Sequence, residues 1–256
     1  HDLCRRQRQM CIRDRSYRTN LCFFIYYNSI LSLGNTMYKL YTAPTPNGWK
    51  VAMALEELRA QYEVQLIDLQ SGEQHSDWFL QINPNGRIPV LKTMGKDSTI
   101  IFDSNAILIY LAEKFGQLLP INEPDRTLVL QWLMFQASGI GPMQGQAVVF
   151  ERYFPNDVPA ARKRYHNETR RLYEVLDVRL SQSEWLARDF SIADIANWSW
   201  IRSHKWARVS TEGLESLERW MEQMRIRPAC DRGLNIPPSP GKADKVKSFG
   251  SAMTTT

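Results

Sequence analysis

Hydrophobic positions change their period once along the chain. From Met37 onward, strand and helix patterns alternate. Residues 38–41 read as a short strand. Asn47-Gly48 opens a helix to about Arg59, with Val51, Ala54, Leu55 and Leu58 at offsets 0, 3, 4 and 7 on one face. Residues 62–69 alternate as a second strand, with Tyr62, Val64 and Leu66 inward. A helical turn is expected over 77–81, a strand entered through Ile88-Pro89-Val90-Leu91, and another strand over 100–102. Residues 104–115 make a helix that is apolar nearly all round, which demands cover on both sides.

Residues 117–123, including Pro120, read as a linker, and no strand alternation follows it. Helices are predicted over 125–138, after Pro142, and over 160–180, 192–206 and 214–225. Tyr165, Thr169, Leu172, Leu176 and Leu180 keep helical spacing in one of them, and Leu217, Met221 and Met224 in the last, which Pro228 is expected to stop. The pattern therefore predicts a small α/β unit over 37–116 and an all-α unit over 124–230. A disordered tail rich in Pro, Gly, Ser, Lys and Thr is expected over 231–256.

The first 36 residues differ from the rest. They are Arg-rich to Asn20, then apolar from Leu21 to Leu33 except for Asn28, Ser29 and Ser32. That order fits a secretory signal. It fits better a non-native or unstructured extension ahead of Met37, and residues 1–36 are set aside on that reading.

Charge narrows the partners. The net charge is +5 and the pI about 9.0. Residues 1–36 hold six Arg against two Asp, and residues 231–256 hold three Lys and one Arg against two Asp, which leaves residues 37–230 at −1. The body offers no electrostatic case for nucleic acid or an anionic membrane surface. No run of 18 apolar residues is present, so no spanning helix is expected. Of the four cysteines, Cys4, Cys11 and Cys22 lie near the start and Cys230 stands alone. A disulfide framework is excluded for the body, and a reducing, cytoplasmic setting fits.

Four places carry candidate chemistry. Thr45-Pro46-Asn47-Gly48 places an N-cap residue before a proline at the first helical position. It reads either as a plain strand-to-helix turn or as an anion or thiolate site, because a helix start offers free N–H groups and about half a positive charge. In Arg87-Ile88-Pro89-Val90, Pro89 either starts a strand or forms a cis bond that leaves the Ile88 backbone open to an extended peptide. Asp103-Ser104 opens a helix with Ser104 as the expected N-cap, and the pair also suits an amino acid, carboxylate on Ser104 and ammonium on Asp103. Ser191-Ile192-Ala193-Asp194 has capping-box spacing and reads as structural.

Other signals fail. Gly139, Gly141 and Gly145 follow no strand and are not a dinucleotide fingerprint. His1, His75, His166 and His204 lack metal spacing, and no metal is implied. The tryptophans after residue 130 read as core and interface.

Taken in order, these features resemble a cytosolic glutathione transferase over about residues 37–229. The finer resemblance is to the bacterial Nu class and its fungal Ure2-like relatives. It is carried by Ala43-Pro44-Thr45-Pro46-Asn47-Gly48, by Asn83-Pro84-Asn85-Gly86-Arg87-Ile88-Pro89, by Leu130-Gln131-Trp132, and by Gly141-Pro142-Met143-Gln144-Gly145-Gln146. The resemblance implies a thioredoxin-like domain followed by a helical bundle, dimerised, with glutathione as co-substrate. It implies Thr45 and Asn47 at the glutathione sulfur, Gln74 and Arg87 at the glycyl end, and Ile88 beside cis-Pro89 at the cysteinyl unit. Asp103 and Ser104 would hold the γ-glutamyl end, and Arg171 would close the site. Asp103 stands where that class more often has Glu, Ala147, Val148 and Val149 make the second-substrate pocket less polar, and the 185–190 turn is short.

A thioredoxin fold usually carries a Cys pair where this chain has Thr45-Pro46, so glutathione would supply the thiol. Holding that thiol ionised at neutral pH needs roughly 2–3 kcal/mol. The reaction implied is reduction of a disulfide, with peroxides and electrophilic carbon as further substrates. The alternatives are a non-catalytic glutathione-fold protein that binds or regulates partners, and isomerase chemistry, which would favour a Ser-rich first turn absent here. Tyr41 could donate to the sulfur, though a core role suits it better.

Overall fold

The computed structural model describes residues 37–238. The extension expected over residues 1–36, and the tail beyond 238, lie outside the described residues.

A four-stranded sheet has the order β2-β1-β3-β4. Its strands are β1 (Met37–Thr42), β2 (Gln61–Leu66), β3 (Val90–Thr93) and β4 (Ile100–Phe102). β1 runs parallel to β2 and antiparallel to β3, and β3 is antiparallel to β4. Alternation along β1 sends Tyr38 and Leu40 to one face, where they join Leu91 and the helices α1 (Pro46–Glu57) and α3 (Ser104–Phe115) in the main core. Tyr41 and Val90 face the other way, onto Phe79 of α2 (Asp77–Ile82) and Ile67. Tyr41 is thus a core residue.

The strand over 62–69 is shorter than predicted, and its inward face is mostly uncovered. Val64 and Leu66 are 41% and 52% exposed. Only Tyr62, at the strand start, packs inward, with its hydroxyl donating to Glu56 Oε1 at 2.6 Å. Period 2 says which residues share a face; β2 is an edge strand, and nothing among the described residues covers its far end. Helix α3 likewise buries Ile107, Leu108, Leu111 and Ala112 but leaves Ala106 exposed.

The second part is helical: α4 (Glu123–Phe135), α5 (Gly141–Val148), α6 (Pro159–Ser181), α7 (Ile192–Ile201), α8 (Glu215–Arg225) and α9 (Pro228–Leu234). A π turn over Gln136–Ile140 joins α4 to α5 without a break, so the predicted gap before Pro142 does not exist. The helix expected over 192–206 stops at Ile201, and a 3-10 turn follows at His204–Trp206. Pro228 does not end the chain's order; it starts α9 at the first helical turn, where a proline loses no hydrogen bond. The tail expected from residue 231 is therefore ordered to 238. Gly233 on α9 allows this, because a Cβ there would sit 2.7 Å from the Met53 backbone.

The capping box holds. Asp194 accepts from the Ser191 N–H at 3.0 Å and the Ser191 hydroxyl at 3.2 Å, while its other oxygen accepts from Leu186 N–H at 3.0 Å and Trp220 Nε1 at 2.9 Å. The short 185–190 turn packs well: Leu186 and Ala187 are buried, and Arg179 donates to both of their carbonyls. Ala147 is buried in the core rather than lining a pocket. Among the described residues, no helix is long and apolar enough to cross a membrane.

Candidate functional site

Strand register gathers the candidate residues at one end of the sheet. Tyr41 pairs with Val90, and Val90 with Phe102. Thr42 pairs with Leu66. The end of β1, the end of β2, the start of β3 and the end of β4 therefore lie side by side, and the segments after residue 42, after 66, before 90 and after 102 leave together. This is where Thr45, Gln74, Ile88, Pro89, Asp103 and Ser104 stand.

Thr45 is the N-cap of α1, as expected. It has extended backbone, and its Oγ1 accepts from Gly48 N–H at 3.3 Å. Its hydroxyl proton is left to donate. Gly48 is required for this start: a Cβ there would meet Ala43 O at 2.3 Å. Asn47 lies one residue into the helix, and its Oδ1 accepts from Trp200 Nε1 of α7 at 2.9 Å. An indole N–H can only donate, so this contact fixes the amide oxygen toward Trp200 and turns the Nδ2 donors away.

The Ile88-Pro89 bond is cis, as the second reading of that motif expected. Among the described residues, no hydrogen bond occupies the Ile88 N–H or C=O. Asn83, buried at 1% exposure, braces the approach: its Nδ2 donates to Arg87 O, and its Oδ1 accepts from Asn85 N–H. Gly86, at φ +60, packs against the Gln74 carbonyl and the His75 ring, which brings Gln74 and Arg87 together. Gln74 Oε1 is buried without a hydrogen-bond partner among the described residues.

Asp103, not Ser104, caps α3. Asp103 Oδ1 accepts from Asn105 N–H at 2.9 Å and Ala106 N–H at 3.1 Å, leaving Oδ2 open. Its backbone sits at φ 72, a strained conformation for a residue with a Cβ, and such strain concentrates at functional sites. Ser104 becomes the first helical residue, and its hydroxyl turns inward to a group the sequence did not single out, Lys50.

Lys50 is 2% exposed. Its ammonium donates to Ser104 Oγ at 3.1 Å, Asn105 Oδ1 at 3.1 Å and Gln136 Oε1 at 2.6 Å. Burial pulls its pKa down from 10.5 to about 7, and the Asp103 carboxylate opposes that fall. Gln136 opens the π turn, an irregularity common at functional sites, so the helical part also reaches this cluster.

Arg171 is not brought here. Thr169, Leu172, Tyr173 and Leu176 form the buried face of α6, and helical spacing puts Arg171 on the far side. Its guanidinium grips Glu168 at 2.9 and 2.6 Å. Lys50, Gln136, Asn105 and Trp200 were missed because each depends on a partner far off in sequence. The only forewarning was a lysine on the turn of α1 that otherwise buries Val51 and Ala54.

Cys230, on α9, is fully buried, and burial pushes its thiol up to about 12, with Glu57 adding to the shift. It is no thiolate near neutral pH.

Comparison with known proteins places this geometry. The family profile for the glutathione S-transferase N-terminal domain matches residues 45–114. The disulfide-bond oxidoreductase YfcG of Escherichia coli is 41% identical over 203 residues, covering 77% of this chain and 94% of YfcG. A Pseudomonas putida glutathione transferase, solved with glutathione disulfide bound, superposes with a TM-score of 0.75 at 39% identity, covering 78% of this chain and 92% of that one. Ure2p, solved in complex with glutathione, gives a TM-score of 0.74 at 31% identity, covering 77% of this chain and 97% of the solved Ure2p chain. A thioredoxin-like sheet followed by helices, with these similarities along nearly the whole of each relative, means that the chain belongs to the glutathione transferase family.

Proposed function

We propose that this protein binds glutathione at the shared end of its strands and uses the bound thiolate to reduce disulfides. The observation that carries this reading is the Trp200–Asn47 bond, which aims the amide donors of Asn47 away from the indole at the helix start. The relatives support it, since one is named a disulfide-bond oxidoreductase and another was solved with glutathione disulfide.

Each residue then has a task. Thr45 O–H and Asn47 Nδ2–H donate to the sulfur at the positive end of α1. Two hydrogen bonds to a charged acceptor and the helix end together supply about 2–3 kcal/mol, enough to ionise the thiol near neutral pH. The free Ile88 N–H and C=O pair with the cysteinyl main chain. Gln74 and Arg87 hold the glycyl end. Asp103 Oδ2 takes the ammonium and the Ser104 hydroxyl the carboxylate of the γ-glutamyl end. Arg171 has no part in this assignment.

Glutathione supplies the thiol, because Cys230, the one cysteine among the described residues, is buried. One glutathione thiolate attacks a disulfide sulfur and expels the other as thiolate. A second deprotonated glutathione then displaces the remaining thiol, so that two electrons and glutathione disulfide balance the reduction. The test is direct: purified protein, with glutathione and a small disulfide, should turn over faster than with an electrophilic aryl halide. Retention of glutathione with no turnover of either substrate would instead establish a binding or regulatory protein.

A further inference from the structure

Lys50 is the only buried lysine among the described residues, and its surroundings are unusual. Its three N–H groups meet three neutral acceptors, Ser104 Oγ, Asn105 Oδ1 and Gln136 Oε1. An ammonium has three donors and no acceptor, so its hydrogen bonding is complete while its charge is unbalanced. Among the described residues, no carboxylate pairs with it.

The other charges around α1 are engaged elsewhere. From α3, Asp103 acts on Lys50 through space, with Oδ1 turned to its own cap and Oδ2 the oxygen assigned to the ligand ammonium. From α7, Asp194 is occupied by Ser191, Leu186 and Trp220. Arg202, just after α7, lies over the Trp49 ring, with its center 4.8 Å from the ring centroid. At the far end of α1, Arg227 pairs with Glu57 and Arg232 with Glu56. From the π turn comes only Gln136.

Ser104 connects this ammonium to the ligand site. While Lys50 is protonated, Ser104 Oγ accepts from Nζ, and its own O–H proton is free. A carboxylate taken by that hydroxyl would lie within about 6 Å of Nζ, close enough for opposite charge to favour the ammonium. When Lys50 is neutral it has two N–H groups and one lone pair for the same three neighbours. The Ser104 hydroxyl can then turn inward and donate to Nζ, and it is lost to the ligand.

We propose that Lys50 is the counter-charge for the α-carboxylate of the γ-glutamyl end, and that ligand binding draws one proton from solvent onto Lys50. The inference rests on the reading of Asp103 and Ser104 as the γ-glutamyl site. Protonation does two things at once: it balances the ligand's charge and frees the Ser104 hydroxyl. Since burial holds the free protein's Lys50 at about 7, the linkage operates at and above neutral pH.

The experiment is calorimetric titration of the protein with S-methylglutathione, which has no thiol proton to release. It is run at pH 8 in two buffers of different ionisation enthalpy, and again across pH 6.5–8.5. The expected result is uptake of most of one proton at pH 8, with affinity falling toward tenfold per pH unit above 7. The Lys50→Arg variant, charged throughout, should bind without uptake and so correct for the ligand's own ammonium. An NMR titration of the Lys50 side chain in the unaltered protein gives a check that needs no variant: its midpoint should rise when S-methylglutathione is present. Binding with no proton uptake, a flat affinity and an unmoved midpoint would overturn the proposal and leave the glutathione site standing. No binding at any pH would overturn the site reading, and this proposal with it.

Discussion

The indole N–H of Trp200 donates to Asn47 Oδ1 at 2.9 Å, across 153 residues of sequence. Helix α7 of the helical part thereby sets the orientation of an amide at the first turn of α1. Trp200→Phe keeps the ring and removes the donor. Asn47 can then present its oxygen to the sulfur, and kcat/KM for disulfide reduction should fall about fivefold to tenfold for a hydrogen bond worth about 1 kcal/mol. In a double-mutant cycle, the Trp200→Phe effect should vanish in an Asn47→Ala background. Additive losses would show that Trp200 acts by some other route.

The chemistry should not need a protein thiol. Cys230 is buried with its thiol pushed up to about 12, on a helix packed near Met53 rather than at the start of α1. A variant lacking all four cysteines should keep nearly full reductase turnover. Thr45→Ala with Asn47→Ala should lower it about 10²-fold, if each donor gives the thiolate ~1–1.5 kcal/mol. A dead cysteine-free enzyme beside an active double variant would reverse the assignment.

Stability should rise with pH just above neutrality. Folded Lys50 titrates at about 7, against 10.5 for an exposed lysine. Between those values the unfolded chain holds a proton that the folded chain lacks, so raising the pH favours the folded state, by up to about 1.4 kcal/mol per pH unit. The buried Cys230 thiol acts in the opposite sense above pH ~9, where the unfolded thiol ionises first. Urea unfolding of the ligand-free protein at pH 7, 8 and 9 should show the rise, and Lys50→Met should abolish it.

Asp194 should be the costliest single loss in the helical part. It is fully buried and accepts from the Ser191 N–H and hydroxyl, the Leu186 N–H and the Trp220 indole. Asp194→Ala strands these donors without water and should destabilise by about 3–5 kcal/mol. Burial raises this carboxyl from 3.8 to about 6, so within that interval the folded state holds the extra proton and stability falls as pH rises. Thermal melts of the variant, and of the parent between pH 4 and 6, check both statements.

The protein should be a homodimer at micromolar concentration. Ile100 and Phe102 on the edge strand β4 are 41% and 42% exposed, and Met134 on α4 is 46% exposed. Sedimentation equilibrium should give twice the chain mass, and Ile100→Glu should shift the population toward monomer. A monomer in the parent protein would refute this.

Much of the molecule was legible in the sequence, and for a common reason. The α1 start at Thr45-Pro46, strand β4, helix α3 and the Ser191–Asp194 box are local solutions to local needs: a cap for free N–H groups, a proline at the first helical turn, an apolar period that matches a helix. Each signal lies within a few residues of the structure it makes. Pro228 shows where that logic stops, because a proline ends one helix and begins another with the same dihedral, and only the packing of Gly233 against Met53 decides which.

What tertiary structure alone decided lies in contacts between distant residues. Asp103 took the cap that Ser104 was expected to hold, because Lys50 claimed the Ser104 hydroxyl from α1. Val64 and Leu66 kept their shared face, but nothing among the described residues came to cover it. Arg171 followed its helix away from the site, and Trp200, one aromatic among several, arrived at Asn47. Period and caps fix what a segment is and which of its side chains share a face. Which partner meets that face depends on how distant segments pack, and at this site those meetings set the donors, the charge and its balance.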